Sequence, residues 1–268
     1  MLDLATIRAV LFDMDGVIYR GNQPLPAVNE LLAFLKRHGV AYACITNNAG
    51  FTPEQVAAKV QRMGLAIPAN HIVTSAMATN LYLRSVAPRG TPIYAVGMEG
   101  LLDQLFGDGY FVPADTNPRY VVVAVDFDLT YAKLRAACLA IRGGATFVGT
   151  NPDRTYPAED GIVPGAGSIL AALVAATDQQ PVIIGKPAPA MFEAALALLS
   201  AQPATTLMVG DRYDTDILGG AEAGLPTAMV LTGVSDRAEA EQSSRPPDLL
   251  VTDLAELLRV WSDTLGAP

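Results

Sequence analysis

The sequence predicts an α/β fold in which a parallel-sheet core carries a smaller, inserted α/β domain. Three observations predict it. Short apolar runs alternate with segments of helical periodicity from residue 8 onward, and the same alternation returns after residue 180. The residues between, from 80 to 180, form a strand and helix series of their own. Strand alternating with helix implies a parallel sheet covered on both faces. The middle series is too long for a loop and large enough to be a domain. The domain reading is therefore 1–79 with 181–268 for the core and 80–180 for the insertion.

Taken in order, residues 8 to 14 read as a buried strand, and PAVNELLAFLKRH (26–38) has apolar residues at helical spacing closed by Gly39. Val40 to Thr46 is a second strand. Thr52 can cap PEQVAAKVQRM, Pro53 suits the first helical position, and Gly64 ends that helix. The inserted series reads PIYAVG, YFV, YVVVAVD, the helix YAKLRAACLAIRG, and ATFVGT. The core then resumes with PVIIG, a helix over 189–200, TLMVGD, a helix over 214–223, PTAMVL and DLLVTD. SDRAEAEQSSRPP (235–247) reads as a mobile surface loop.

Composition excludes several function classes. A formal charge of −9 argues against a nucleic-acid partner, and any anionic substrate must be drawn by a local site. Two histidines, His38 and His71, leave little for chemistry built on several. Apolar runs are broken well before the roughly 20 residues that a bilayer crossing needs, and the N-terminus lacks a basic leader start, so no membrane partner and a cytoplasmic location are expected. Cys44 and Cys138 lie far apart in apolar segments and read as reduced thiols.

In an open parallel sheet, ligands bind outside the carboxyl ends of the strands. Four predicted strands end in polar residues: Asp13 and Asp15 after the first, Thr46, Asn47 and Asn48 after the second, Lys186 after PVIIG, and Asp211 after TLMVG. Each has a plainer reading alone: solvated caps, a capped turn, a surface lysine before a proline, and, for Asp214 and Asp216, an acidic helix start. Together they supply carboxylates, a hydroxyl, amides and an ammonium, a set suited to a phosphate held beside Mg²⁺. Asp13 and Asp15 flank one residue, Met14, so alternation along an extended chain turns both carboxylates to one face and Met14 away.

With DMDGV, ITNN, Lys186 in GKP, and GDRYDTD in this order, the sequence resembles the haloacid dehalogenase superfamily of phosphotransferases. TNPDRTYPAEDGIVPGAGSI followed by IIGKPAPAMF is similar to its NagD-like subfamily, which includes 4-nitrophenyl, phosphoglycolate and pyridoxal phosphatases. The resemblance implies a Rossmann-like core with an α/β cap between the second and third motifs. It implies Asp13 as nucleophile, passing through an aspartyl phosphate, and Asp15 as general acid and base. Mg²⁺ would be held by Asp13, the backbone carbonyl of Asp15 and Asp211, with Asp216 ligating through water or orienting the others. Thr46, Asn47, Asn48 and Lys186 would bind the phosphoryl group of a small-molecule phosphate ester.

A phospho-accepting signalling module, or a non-catalytic binding protein on the same fold, is the alternative from another class. The second aspartate and the long insertion speak against the first, and the filled motif positions against the second. A dehalogenase needs neither Asp15 nor the Mg²⁺ set, and a phosphomutase shares Asp15. The cap implies substrate selection, with Asn151, Asp153 and Arg154 as candidates beside the plainer reading of a surface turn. A homodimer through the cap is a further expectation.

Overall fold

A computed structural model describes residues 2–158 and 161–266. They group into two units. The first comprises the chain up to Thr46, Val56–Val73 and the chain from Phe192 onward, and the second comprises Asn47–Gln55 and Thr74–Met191.

The first unit is built on a six-stranded sheet ordered Leu249–Val251, Thr227–Val230, Thr206–Gly210, Ala9–Asp13, Ala41–Thr46 and Ile72–Thr74. The pairings from Leu249–Val251 to Ala41–Thr46 are all parallel. AVLFD is buried along its whole length, as a central strand covered on both faces must be. One covering layer is the helix Val28–Arg37, which buries Val28, Leu31, Leu32, Phe34 and Leu35 on one stripe. Phe34 meets Trp261 of the last helix, Leu254–Leu265, edge to face with ring centroids 6.0 Å apart.

The second unit has a five-stranded parallel sheet ordered Val182–Ile183, Thr146–Gly149, Tyr120–Val123, Pro92–Val96 and Val112–Pro113. The helices Tyr131–Arg142 and Ala166–Thr177 supply Ala137, Ile141, Ile169, Leu170 and Leu173 to a core shared with Val96, Val121, Val123 and Phe147. A two-stranded antiparallel hairpin joins Thr155–Ala158 to Gly161–Pro164. Among the described residues, no helix is long and apolar enough to cross a membrane.

The sequence reading and the structure differ at three elements. PVIIG, grouped with the core strands, contributes only Val182–Ile183, and this pairs with Thr146–Gly149 in the second unit's sheet. Periodicity states that a run is a buried strand but not which sheet takes it. The helix read over 214–223 opens as a π turn, Tyr213–Ile217, before Leu218–Glu222. The stretch 235–247 is not all loop: Arg237–Gln242 is helical, because the Asp236 carboxylate accepts from the Glu239 amide at 2.9 Å and Ala240 is buried. Thr52 does cap its helix, with Gln55 returning the bond to the Thr52 amide.

Candidate active site

Register explains why acidic residues gather in the first unit. Phe12 lies opposite Val209 and Asp13 opposite Ile45, so the central strand and its two neighbours end level with one another. Asp13 closes its strand, Thr46 closes the next, and Asp211 follows Gly210 directly. The π turn then brings Asp216 back. Its Oδ2 accepts from the amides of Asp211 (3.2 Å) and Arg212 (3.1 Å). A π turn at this position is one of the irregularities that helices carry at functional sites. Gly210 is obligatory there, since an added Cβ would lie 2.1 Å from the Asp216 Cβ.

The result is three buried carboxylates, from Asp13, Asp211 and Asp216, with one oxygen from each lying within 4.8 Å of the others. At an effective dielectric of about 20, each pair of unit charges at that separation repels by roughly 3.5 kcal/mol. A divalent cation among them turns this cost into attraction. Hard, buried oxygen donors at this spacing fit Mg²⁺.

Asp15 stands apart from that cluster. It is exposed, and its Oδ2 accepts from the Tyr19 hydroxyl at 3.2 Å. The Tyr19 ring is in turn held under the Lys59 ammonium, 4.2 Å from the ring centroid. Met14, between the two aspartates, is fully buried, as alternation requires. Gly16 has φ +87°, and a Cβ there would lie 2.5 Å from Asp211 Oδ2, so both conformation and space demand glycine.

In the second unit, Asn47 is a hub. Its side-chain oxygen accepts from the Lys186 amide at 2.8 Å, and its side-chain nitrogen donates to the Lys186 carbonyl at 3.0 Å. Its backbone carbonyl accepts from Ser75 Oγ (2.6 Å) and Asn151 Nδ2 (2.7 Å). Lys186 is 3% exposed, and its bond to Pro187 is cis. Asn48 Oδ1 accepts from the Gly50 amide in a tight turn. Asn151 is buried rather than on a surface turn, because it serves as an anchor for Asn47. Its Oδ1 accepts from the Asp153 amide.

Two groups escaped sequence reasoning. Tyr19 follows Asp15 by four residues, in a stretch that reads only as apolar. The loop Thr232–Ser235 follows the strand Thr227–Val230 and wraps Asp211: Val234 donates to Asp211 Oδ2 at 2.8 Å and Ser235 to the Asp211 carbonyl at 3.0 Å. A signal was present. Thr232 and Gly233 also stand beyond the carboxyl end of a parallel strand, where the same rule applies.

Comparison with known proteins agrees with this arrangement. Residues 10–110 match the model of the haloacid dehalogenase-like hydrolase family, and residues 183–257 match a second haloacid dehalogenase-type hydrolase model. The chain is 38% identical to an acid sugar phosphatase of Staphylococcus saprophyticus, over 94% of this chain and 97% of that protein. It is 39% identical to a dihydroxyacetone phosphatase of Corynebacterium glutamicum, over 96% and 92%. Among solved structures, NagD of Escherichia coli superposes with a TM-score of 0.88 at 31% identity, covering 93% of this chain and 98% of that one. A glycerol phosphate phosphatase of Mycobacterium tuberculosis, in complex with magnesium, gives 0.89 at 35%, covering 96% and 78%. With its strand-end aspartates on a parallel sheet and these relatives along nearly its whole length, the chain belongs to the haloacid dehalogenase superfamily as a NagD-like phosphatase, a phosphoric monoester hydrolase.

Proposed function

We propose that this protein is a Mg²⁺-dependent phosphatase that hydrolyses small-molecule phosphate monoesters of the sugar and polyol type through an aspartyl phosphate on Asp13. The observation that carries the reading is the convergence of the Asp13, Asp211 and Asp216 carboxylates. The substrate class follows relatives named for acid sugar, dihydroxyacetone and glycerol phosphate phosphatases.

In the first step an Asp13 carboxylate oxygen forms a bond to phosphorus as the bond from phosphorus to the ester oxygen breaks. Asp15 gives its proton to the departing alkoxide. In the second, Asp15 takes a proton from water as that water attacks phosphorus. Asp13 is released as carboxylate and inorganic phosphate leaves. The exposure of Asp15 supports the second role, since it must meet solvent water, and the Tyr19 hydroxyl orients it.

Asp13, the Asp15 carbonyl and Asp211 would hold Mg²⁺, with Asp216 fixing the loop through the amides of Asp211 and Arg212. The cation supplies positive charge against that of the carboxylates and the phosphoryl oxygens. Thr46, Asn47, Asn48 and Lys186 bind the phosphoryl group, with the Asn47 side chain acting by holding the Lys186 backbone. Residues 80–180 form a cap that selects the leaving group. Dimerisation through this cap and a cytoplasmic location complete the reading.

The test is phosphate release from a panel of glycerol phosphate, dihydroxyacetone phosphate, hexose phosphates, phosphoglycolate, pyridoxal phosphate and 4-nitrophenyl phosphate, ranked by kcat/KM. Mg²⁺ should restore activity lost to a chelator, whereas Ca²⁺, with its looser ligand shell, should bind without supporting turnover. Full activity in chelator refutes the metal assignment. A phospho-protein that accumulates without releasing phosphate would favour the signalling alternative.

A further inference from the structure

We propose that Thr232 and Gly233 are positioning residues that set the place of the Asp211 carboxylate and, through it, the affinity of the site for Mg²⁺. The inference rests on the metal reading above and assigns a role to a loop outside the four motifs.

Thr227–Val230 runs parallel to Thr206–Gly210, with Met229 opposite Gly210, so the loops after both strands leave at the same end. Thr232 and Gly233 therefore emerge beside Asp211. There the Asp211 Oδ2 is enclosed from two sides: a Cβ on Gly233 would lie 1.7 Å from it, and a Cβ on Gly16 would lie 2.5 Å from it. The Val234 amide donates to the same oxygen at 2.8 Å. Turning the carboxylate about its Cβ–Cγ bond would lose that donor, and Oδ2 sits in space that only glycine at both positions leaves open.

Three hydrogen bonds hold the enclosing loops together. Thr232 Oγ1 donates to the Gly16 carbonyl, joining the loop that follows Asp15 to the loop that follows Val230. Arg20 Nη2 donates to the carbonyls of Thr232 (2.7 Å) and Gly233 (3.3 Å) from the short hairpin Tyr19–Arg20 with Gln23–Pro24. Ser235 closes the far side, donating its amide to the Asp211 carbonyl and accepting from the Tyr213 amide through its hydroxyl. Mg²⁺ demands near-ideal octahedral geometry, so an immobilised carboxylate binds it better than a mobile one. Residues that orient a ligand typically change metal affinity by about 10-fold to 100-fold when removed.

The experiment is a calorimetric Mg²⁺ titration of the full-length protein without substrate, comparing wild type, Thr232→Ser, Thr232→Val and Gly233→Ala. Thr232→Val keeps the volume and loses the hydroxyl, so Mg²⁺ should bind about 10-fold more weakly. Thr232→Ser keeps the hydroxyl and should stay within about twofold of wild type. Gly233→Ala, which drives a methyl into Asp211, should lose more than Thr232→Val; if it does not fold, the two Thr232 variants decide. A second readout separates positioning from general damage: the Mg²⁺ concentration for half-maximal rate should rise in Thr232→Val while the substrate KM at saturating Mg²⁺ stays put. Wild-type affinity in Thr232→Val, or equal losses in Thr232→Val and Thr232→Ser, would overturn the inference while leaving the metal reading intact. Absence of Mg²⁺ binding by the wild type would overturn both.

Discussion

The Asn47 carboxamide brackets the Lys186 backbone, accepting from its amide at 2.8 Å and donating to its carbonyl at 3.0 Å. Residues 139 positions apart are thus held as if they were partners in a strand pair. A lysine loop secured at both its N–H and its C=O has its side-chain root fixed, as the proposed role of Lys186 in binding phosphate requires. This is the pre-organisation that charge stabilisation needs.

Asn47→Ala should therefore cost both stability and substrate affinity. It removes two buried bonds and leaves the Lys186 amide and carbonyl to find other partners, a loss of about 2 to 4 kcal/mol. Urea unfolding reads the first effect, and the KM for 4-nitrophenyl phosphate the second. A loss under about 1 kcal/mol with an unchanged KM would show that the bracket is dispensable.

Asp13→Asn should abolish turnover and keep the fold, because the amide has the carboxylate's shape but is a poor nucleophile. Residual activity above about one per cent of wild type corresponds to under about 3 kcal/mol of lost barrier stabilisation and would count against covalent catalysis. Circular dichroism should match wild type. One fewer buried negative charge also means that the metal-free variant should be no less stable.

Asp15→Asn should be sensitive to the leaving group. A phenolate such as 4-nitrophenolate departs without a proton, whereas a sugar alkoxide does not, so the loss should be larger for the sugar phosphate. Tyr19→Phe should show the same asymmetry in weaker form, by several-fold, because it only removes the hydroxyl that orients Asp15. Equal losses on both ester types in Asp15→Asn would argue against the acid role.

The two cysteines should differ in reactivity. Burial pushes the Cys44 thiol far above its ordinary range, and the nearby Asp13 charge adds to the effect, so its thiolate is disfavoured throughout the usable pH range. Cys138 is partly exposed, with its thiol toward the Ala176 carbonyl. A thiol reagent at pH 8 should label one site in the native protein and two in denaturant. Rapid native labelling of both would mean that the strand Ala41–Thr46 opens far more readily than its burial implies.

Much of the candidate site was legible because each of its residues is placed by a local rule. Asp13, Thr46 and Asp211 follow buried apolar runs, and a parallel sheet puts such positions at one end. What escaped was whatever depends on a partner distant in sequence. Tyr19 reads as one more apolar residue until its hydroxyl meets Asp15, and Asn151 reads as a turn residue until its amide meets the Asn47 carbonyl. The helix Arg237–Gln242 was hidden in a charged stretch, although Asp236 and Glu239 mark its start.

By itself, the sequence determined the alternation of strand and helix, the apolar length of each strand, and the polar residues standing at the strand ends. These depend on neighbours within a few residues, where periodicity and turn chemistry act. Only the tertiary structure decided that Val182–Ile183 joins the sheet of Thr146–Gly149, that the Asn47 side chain brackets Lys186, and that Gly16 and Gly233 enclose Asp211 Oδ2. Each of these is a choice among partners that one-dimensional patterning leaves equivalent. Strand register, close approach at residues without a Cβ, and the need to satisfy buried backbone groups select among them only once the chain has folded.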